Sequence, residues 1–266
     1  MTDLHIHTEY SFDSDESPEN YVKAALSRGD GFIGFSEHCE FNMADYDPDF
    51  PTPDFDGYFS ALDRLSDKHA GIKILKGVEL GYSDSAVSRY KALLKKYPFD
   101  HVVLSVHTVG GRGDCYFPTF YDGLNKREAY SLYLEETFKA VRSDVDFQIL
   151  GHVGYVARYA PYSDKRLIYG DFPEVFDKIL RALIDRGAAL ELNTSAAGIS
   201  SDVITDKNVI NRYIELGGRL FTFGSDAHSA ARYAENAERV KHILSSFGVD
   251  FTVRYENRKP IVERFT

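Results

Sequence analysis

The chain has 266 residues, of which 43% are hydrophobic and 27% are charged, a composition that is ordinary for a globular protein. That length suffices for one α/β barrel or for two small domains. The formal net charge of −10 argues against a large nucleic-acid interface, but it is compatible with an anionic substrate, because bound divalent cations would reverse the sign of the charge locally.

Membrane attachment and a disulfide framework are both disfavoured. No apolar run approaches the roughly 20 residues of a membrane span, and the first residues do not have the basic segment and apolar core of a signal peptide. The two cysteines, Cys39 and Cys115, are too few for a disulfide scaffold. We therefore expect a cytoplasmic enzyme without membrane contact, and the sequence leaves its oligomeric state open.

Short apolar, β-rich runs alternate along the chain with amphipathic stretches. The predicted strands are Leu4–His7, Phe32–Ser36, Ile72–Glu79, His101–His107, Phe147–His152, Ala188–Asn193 and Leu220–Ser225. The first helix should begin with Ser17 as N-cap and Pro18 at the first helical position, and should end at Gly29. A later helix with a clear apolar face should end at Gly187. Seven βα repeats without a break in composition predict a single domain over residues 1–266 with a parallel, closed or nearly closed sheet.

Two long segments interrupt the alternation. Asn42–Tyr58 is rich in Asp, Pro and aromatic residues, and Thr108–Gly123 is rich in Gly and aromatic residues. Loops of this length in a compact domain often form the walls of an active site, so we expect any recognition of a small amine or ring to involve them. At the end of the chain, Phe251–Arg254 and Ile261–Phe265 suggest a small hairpin.

Polar residues recur at the carboxyl ends of the predicted strands. The first strand carries His5 and His7, which are two apart and therefore point to the same face. The other strand ends contribute His38, Glu79, His107, His152, Asp226 and His228. Six of the nine histidines fall in this set, which scattered placement would not produce. In a βα barrel these ends meet at one face, where the catalytic loops lie.

Imidazole combined with carboxylate is typical of zinc, iron or manganese sites. The set is too large for one ion, since zinc usually takes four ligands. Glu79 could bridge two ions through its two oxygens, and His38 and His228 could hold a third ion together with an acid from the loop after His7. Glu37, beside His38, is expected to support a ligand rather than to be one, and Glu191 and Asn193 are candidates to line the floor of the site.

At these positions the sequence resembles the polymerase and histidinol phosphatase (PHP) superfamily and, within it, the histidinol-phosphate phosphatases. The resemblance runs in order across nearly the whole chain. Its matching segments are D-L-H-I-H-T at Asp3–Thr8, S-E-H at Ser36–His38, G-V-E-L-G at Gly77–Gly81, S-V-H at Ser105–His107, G-H-V-G-Y-V-A-R-Y at Gly151–Tyr159 and G-S-D-A-H at Gly224–His228.

The resemblance implies a distorted (β/α)7 barrel, similar to a TIM barrel, with its active site at the carboxyl ends of the strands. It also implies two to three divalent transition-metal ions, either zinc, iron or manganese. The implied ligands are His5, His7, Glu79 and Asp226 for the first ion; Glu79, His107 and His152 for the second; and Asp13, His38 and His228 for the third. Asp13 stands where some relatives have histidine, and Asp15 is the alternative ligand.

The implied reaction is the hydrolysis of a small phosphate monoester, L-histidinol phosphate, to L-histidinol and phosphate, in histidine biosynthesis. A hydroxide bridging the first two ions would attack the phosphorus. Asp226 or a bound water would protonate the leaving oxygen. Arg158, six residues past His152, would hold the substrate phosphate, because a guanidinium matches phosphate geometry in a bidentate manner.

Two residues depart from the pattern of close relatives. Gly154 stands where relatives can carry a carboxylate, and Ser195 stands near the place of an expected second phosphate-binding arginine. Neither is a predicted ligand, so both departures concern the identity of the substrate rather than the metals.

Several alternatives stay open. The same chemistry could act on nucleotides, sugar phosphates or other small monoesters. A nuclease would favour a basic stripe with interleaved aromatic residues, which this acidic chain lacks. A metal-dependent amidohydrolase usually has a carboxylated lysine where this chain has Glu79. A non-catalytic metal-binding module would lack some ligands, whereas every expected position is filled here.

Overall fold

A computed structural model describes residues 1–47, 49–195 and 203–265. Their α-helices are α1 Pro18–Arg28, α2 Phe55–Lys68, α3 Val87–Lys96, α4 Lys126–Arg142, α5 Tyr155–Tyr159, α6 Pro173–Arg186, α7 Lys207–Glu215 and α8 Ala237–Ser246. Their strands are β1 Phe32–Cys39, β2 Lys73–Gly81, β3 His101–Ser105, β4 Thr108–Val109, β5 Gly113–Asp114, β6 Ile149–Leu150, β7 Ala189–Asn193, β8 Phe221–Gly224, β9 Phe251–Glu256 and β10 Lys259–Arg264.

Six parallel strands form the main sheet in the order β1-β2-β3-β6-β7-β8, with helices packed on its outer face. The N-terminal segment, Asp3–His7, lies between the two edge strands and completes a distorted barrel. Its hydrogen bonds are Leu4 N–H to Phe223 O (3.1 Å) and His7 N–H to Ala227 O (3.0 Å) on one side, and Gly34 N–H to Asp3 O (2.9 Å) and Ser36 N–H to Ile6 O (2.9 Å) on the other. The predicted fold class, a seven-membered α/β barrel, is confirmed.

The prediction of a regular strand over Leu4–His7 is wrong in detail. The segment pairs with the chain around β8 through two isolated bridges, Asp3 with Phe223 and Ile6 with Ala227. These bridges are three residues apart in one partner and four apart in the other, so an extra residue on the β8 side interrupts the ladder. Because of that extra residue, no continuous pairing forms.

Apolar side chains fill the interior of the barrel at the end opposite the histidines. A small apolar cluster joins the N-terminal segment and the neighbouring strands β2, β3, β6 and β7 with two side chains of β9: Leu4, Leu75, Val103, Ile149, Ala189, Val253 and Tyr255. The Tyr255 hydroxyl donates to Gln148 O (3.1 Å) at the start of β6. The predicted C-terminal hairpin is thus confirmed, as β9 paired with β10, and it closes the bottom of the barrel.

The helix signals in the sequence are confirmed at both tested helices. Ser17 caps α1 by accepting a hydrogen bond from Glu19 N–H, and α1 and α6 end at Gly29 and Gly187 with left-handed backbone. The predicted loop Asn42–Tyr58 is too long, because Asp54 caps α2 by accepting from Gly57 N–H and the helix begins at Phe55. Pro48, within that loop, lies outside the described residues. Among the described helices, none is both long and apolar enough to cross a membrane.

Asp3 fastens the closing segment to the β8 side of the barrel. Its buried carboxylate accepts hydrogen bonds from Ser225 N–H (3.0 Å), Ala234 N–H (3.1 Å) and His5 N–H (3.3 Å). Burial outweighs these bonds and raises the pKa of Asp3 to about 6. Burial thus disfavours the charged form, and the contribution of Asp3 to the fold comes from the three backbone N–H groups that donate to it.

We expect Asp3→Ala to lower the free energy of unfolding by about 2–4 kcal/mol, because it leaves buried N–H groups without an acceptor. Urea unfolding of chelator-treated protein measures this loss. Asp67→Ala, at an exposed position of α2, is the matched control and should change the free energy by less than about 0.5 kcal/mol. A similarly small loss for Asp3→Ala would show that the carboxylate does not hold the closure.

Candidate metal centre

The carboxyl ends of the strands bring the predicted ligands together at one end of the barrel. His5, His7, Glu79, His107, His152 and Asp226 are each at most 5% exposed, and His38 is 9% exposed. His228 and Asp13 are more accessible, with 29% and 35% of their side chains exposed. These nine side chains, which we call the metal floor, therefore form a largely buried polar surface that is open to solvent on the side of His228 and Asp13.

The first group of donors surrounds one oxygen of Glu79. Glu79 Oε2 lies 3.2 Å from His5 Nε2 and 3.6 Å from His7 Nε2. His7 Nε2 lies 3.3 Å from Asp226 Oδ1. These four residues are the set that the sequence predicts for the first ion.

The position of Asp226 follows from the interruption of pairing beside β8. Asp226 has a φ of +54°, a left-handed conformation that aspartate tolerates better than most residues. Its N–H donates to His5 O (2.8 Å). The extra residue on the β8 side thus turns the Asp226 carboxylate toward His7, a way in which bulges commonly aim side chains at functional sites.

The second group surrounds the other oxygen of the same carboxylate. Glu79 Oε1 lies 2.9 Å from His152 Nε2 and 3.4 Å from His107 Nε2, and the two imidazole nitrogens are 3.4 Å apart. Glu79 therefore faces a different group of imidazoles with each oxygen, as a bridging carboxylate would.

The third group lies at the open side of the floor. Asp13 Oδ2 is 3.1 Å from His228 Nε2 and 3.5 Å from His38 Nε2. Both imidazoles stack on His7, with ring centroids 4.4 Å and 4.1 Å away. Asp13, rather than the exposed alternative Asp15, contacts the two histidines of this group.

The donor atoms fit metal ions better than they fit one another. His5 Nε2 and His7 Nε2 are buried without a hydrogen-bond partner in the described structure, which is costly for polar atoms. The donor separations of 2.9 to 3.6 Å match the edge of about 3.3 Å of a tetrahedron with 2.0–2.1 Å metal–ligand bonds. A cation at the centre of each group would give the unpartnered atoms their missing contact.

The electrostatic environment also favours cations. Burial disfavours the imidazolium forms, but the charges of Glu191 and Glu79 outweigh it and raise the pKa of His5 well above its usual value. In the same way, the carboxylates of Glu40 and Glu79 overcome burial and raise the pKa of His107 to about 10. His7 behaves oppositely, because burial and the neighbouring charges of His38 and His228 lower its pKa to about 3. The negative potential that holds protons on His5 and His107 would favour divalent ions there even more strongly.

Two buried carboxylates, Glu191 and Glu37, lie behind the floor. Glu191 Oε1 lies 2.6 Å from His5 Nδ1, and Glu191 Oε2 accepts from His152 N–H (2.7 Å). Glu37 is buried and accepts hydrogen bonds from Thr8 and Ser11, in the loop that follows His7. Such outer contacts fix the ring orientation of metal-binding histidines. Glu191 therefore fixes the ring of His5, whereas Glu37 holds the loop that follows His7 and contacts it through Thr8 and Ser11.

Glu40 is a supporting residue that the sequence analysis missed. Its Oε1 lies 2.8 Å from His107 Nδ1 and 3.1 Å from His38 Nδ1, and those imidazoles belong to the second and third groups. The charges and hydrogen bonds of the two imidazoles overcome burial and lower the pKa of Glu40 to about 2. The alternation of strand β1 was the available signal, since Glu40 follows His38 by two positions.

Arg158 reaches the floor from α5. Its Nη1 lies 3.4 Å from Asp226 Oδ2, and 18% of its side chain is exposed. Gly154, which precedes this helix, has a φ of +127°, and a Cβ there would lie 3.1 Å from Ile204 O, so any side chain at this position would be strained. Ser195 is buried, with its N–H donating to Asn193 Oδ1 (2.9 Å); residues 196–202, which follow it, lie outside the described part of the chain.

A cavity of about 570 Å³ opens above the metal floor. Its walls include Met43 and Phe50 from the first predicted loop and Asp114, Tyr116 and Phe117 from the second. The prediction that both loops form walls of the site is confirmed. Phe12, Tyr116 and Phe117 are about half exposed, so the rim of the cavity presents aromatic surface to solvent.

Comparisons with known proteins agree with this geometry. The family model described as the PHP domain matches residues 3–195. The chain is 32% identical over 250 residues to the histidinol-phosphatase of Lactococcus lactis subsp. lactis, covering 92% of this chain and 91% of that one. It is 31% identical over 231 residues to a probable histidinol-phosphatase of Clostridium acetobutylicum, covering 85% and 86% of the two chains.

One solved structure adds a ligand set to the comparison. It is the histidinol phosphate phosphatase of Lactococcus lactis subsp. lactis complexed with zinc, L-histidinol and phosphate. It superposes with a TM-score of 0.89 and 29% sequence identity over 98% of both chains. Together with the donor groups described above, this similarity supports the use of divalent metal ions by the present protein.

We expect Glu40→Gln to weaken metal binding by about 10- to 100-fold, because a neutral amide cannot replace the carboxylate that orients both His38 and His107. Competition with a chelator, followed by elemental analysis, measures the affinity. Glu135→Gln, at an exposed position of α4, is the control and should bind metal like the wild type. Unchanged affinity in Glu40→Gln would show that the Nδ1 contacts do not contribute to metal binding.

Proposed function

The chain belongs to the PHP domain family, and on that premise we propose that it is a metal-dependent phosphoric monoester hydrolase that converts L-histidinol phosphate to L-histidinol and phosphate. The observation that carries this proposal is the similarity over 98% of both chains to an enzyme that was crystallised with zinc, L-histidinol and phosphate. The function places the protein in histidine biosynthesis.

We assign the three donor groups to two or three ions of zinc, iron or manganese. His5, His7, Glu79 and Asp226 would hold the first ion; Glu79, His107 and His152 the second; and Asp13, His38 and His228 the third. Imidazole and carboxylate ligands suit all three metals, so the geometry alone does not choose between them. When bound, such ions lower the pKa of water toward neutrality and neutralise the charge of a phosphate group.

Arg158 is suited to holding the substrate phosphate. The guanidinium lines the cavity and lies next to Asp226, at the edge of the first donor group. Its planar array of N–H donors can bind two phosphate oxygens at once. In the free protein the Asp226 carboxylate keeps the guanidinium turned toward the floor, so that the donors are already oriented when a phosphate arrives.

The two carboxylate oxygens of Asp226 have different neighbours: one faces a predicted metal-binding histidine and the other faces Arg158. Oδ1 faces His7 (3.3 Å) and Oδ2 faces Arg158 (3.4 Å). Proton transfer from Oδ2 to the leaving oxygen of the substrate stays a prediction. Burial would raise the pKa of Asp226, but the hydrogen bond to His7 and the charges of His5 and His228 hold it well below its usual value, so the carboxylate is ionised in the free protein. The two contacts explain why a carboxylate is needed there rather than another imidazole.

The walls of the cavity fit a small ester with a ring. Tyr155 packs against the metal floor, with its ring 4.9 Å from His107 and 5.3 Å from His152. Tyr116 and Tyr159 are in edge contact with each other at 4.8 Å and line the opening. Aromatic faces of this kind can stack on an imidazole ring such as that of histidinol.

The test of the function is phosphate release from a panel of monoesters by protein whose metal content has been counted. We expect kcat/KM for L-histidinol phosphate to exceed that for nucleoside monophosphates, sugar phosphates and a chromogenic ester by at least about 10-fold, with two to three ions per chain. Similar, slow release from every ester would point to another natural monoester. No release at any metal loading would reject the phosphatase activity.

We expect Arg158→Ala to raise KM for L-histidinol phosphate by about 10- to 100-fold without loss of metal, because the phosphate loses charge-assisted hydrogen bonds. Steady-state kinetics and elemental analysis of the same sample measure the two effects. Arg166→Ala removes an arginine that is 56% exposed and paired with Asp164, and it should leave both quantities unchanged. Loss of metal in Arg158→Ala would mean that the guanidinium acts through Asp226 instead.

A further inference from the structure

One carboxylate of the cavity wall takes no part in the metal floor. Four acids line the cavity: Asp13, Glu40, Asp114 and Asp226. Asp13 and Asp226 contact imidazoles of the donor groups, and Glu40 contacts His38 and His107. Among these four, Asp114 alone has no imidazole within ion-pair distance in the described structure, so its charge is available for another purpose.

The small hairpin of β4 and β5 places Asp114 beside the second donor group. Thr108 pairs with Asp114 in this hairpin, and Cys115 N–H donates to His107 O (2.9 Å). The Tyr155 ring, which packs on His107, extends its hydroxyl to within 3.5 Å of Asp114 Oδ1. The Tyr155 side chain therefore connects the Asp114 carboxylate with His107 of the metal floor.

The orientation of Asp114 leaves one oxygen without a protein donor. Tyr116 N–H donates to Oδ1 (2.7 Å), and the Tyr155 hydroxyl also approaches Oδ1. Within the described residues, no hydrogen bond ends on Oδ2, and no lysine or arginine pairs with this carboxylate. Burial raises the pKa of Asp114, and the charge of His107 only partly opposes that effect. A cation bound at Oδ2 would compensate this partly buried charge.

The chemistry of the proposed substrate supplies such a cation. In L-histidinol phosphate, the carbon that bears the ammonium group is bonded directly to the carbon that bears the ester oxygen. A phosphate at the metal floor therefore holds the ammonium close to the adjoining wall. We propose that Asp114 binds this ammonium group and makes the enzyme select phosphate monoesters of amino alcohols, an inference that rests on the proposed function.

The test compares Asp114→Asn with the wild type on two matched esters, L-histidinol phosphate and its deamino analogue, 3-(imidazol-4-yl)propyl phosphate. We expect the variant to lose about 10- to 100-fold in kcat/KM for L-histidinol phosphate, the size of one charge-assisted contact. Hydrolysis of the deamino ester should be unchanged. Asparagine can still accept from Tyr116 N–H, so the hairpin should keep its fold, which urea unfolding verifies.

Two further variants show whether the charge itself is responsible. Asp114→Glu keeps the carboxylate and should recover part of the preference for the amino ester. Asp122→Asn alters an exposed acid of the same segment outside the cavity wall and should behave like the wild type. Both results would support the assignment of Asp114.

The outcomes that overturn the inference are distinct from failure of the proposed function. Equal losses on both esters, or no loss on either, would show that Asp114 shapes the wall without binding the ammonium. A wild-type enzyme that hydrolyses neither ester would reject the proposed function and the role of Asp114 with it. A wild-type enzyme that hydrolyses both esters equally well would retain the phosphatase chemistry and reject selection by Asp114.

Discussion

The buried carboxylate of Glu79 is the constraint on which the rest of the site depends. It is fully inaccessible to solvent at the end of β2, and an uncompensated charge at such a place costs several kcal/mol. Compensation comes from imidazoles carried by the closing N-terminal segment and by the chain at the ends of β1, β3 and β6. Burial would raise the pKa of Glu79, but the charges of these imidazoles lower it well below its usual value. One carboxylate thus requires four neighbouring parts of the barrel to keep their positions.

The irregular closure of the barrel follows from the same requirement. A continuous ladder between Asp3–His7 and β8 would leave Asp226 without the turn that directs it toward His7, whereas the extra residue provides that turn at the cost of regular pairing. Gly224 is needed at this junction, because a Cβ there would lie 2.2 Å from Glu191 Oε1 and 2.7 Å from His5 Cβ. The distorted junction thus accommodates both the contact of Asp226 with His7 and the contact of Glu191 with His5.

The sequence was sufficient to predict the floor of the site and insufficient to predict its supports and walls. His5 and His7 share a face because strand geometry has a period of two, and His107 and His152 follow short apolar runs that end at the same side of the sheet. The sequence does not reveal Glu40, although strand alternation places it on the same face as His38, because the apolar run predicts the end of β1 at Ser36 whereas the strand ends at Cys39.

Asp114 could not be predicted, since its position depends on a hairpin of two-residue strands that no periodicity reveals. Asp13 was found through the resemblance to a family, and its contacts with two imidazoles depend on tertiary structure alone.

The floor and the walls are built from different kinds of structure, and this difference bears on how specificity arises. The donor groups lie at strand ends and in the segment that closes the barrel, where parallel hydrogen bonding fixes the backbone and a shift of one residue would turn the donor side chains away. The walls come from loops and from the short helix α5, whose conformations are less constrained by the sheet. A change of substrate can therefore come from residues such as Asp114 and Gly154 without disturbing Glu79 or its imidazoles. In this arrangement the metal floor determines that a phosphate ester is cleaved, whereas the charge and shape of the walls determine which ester is held above it.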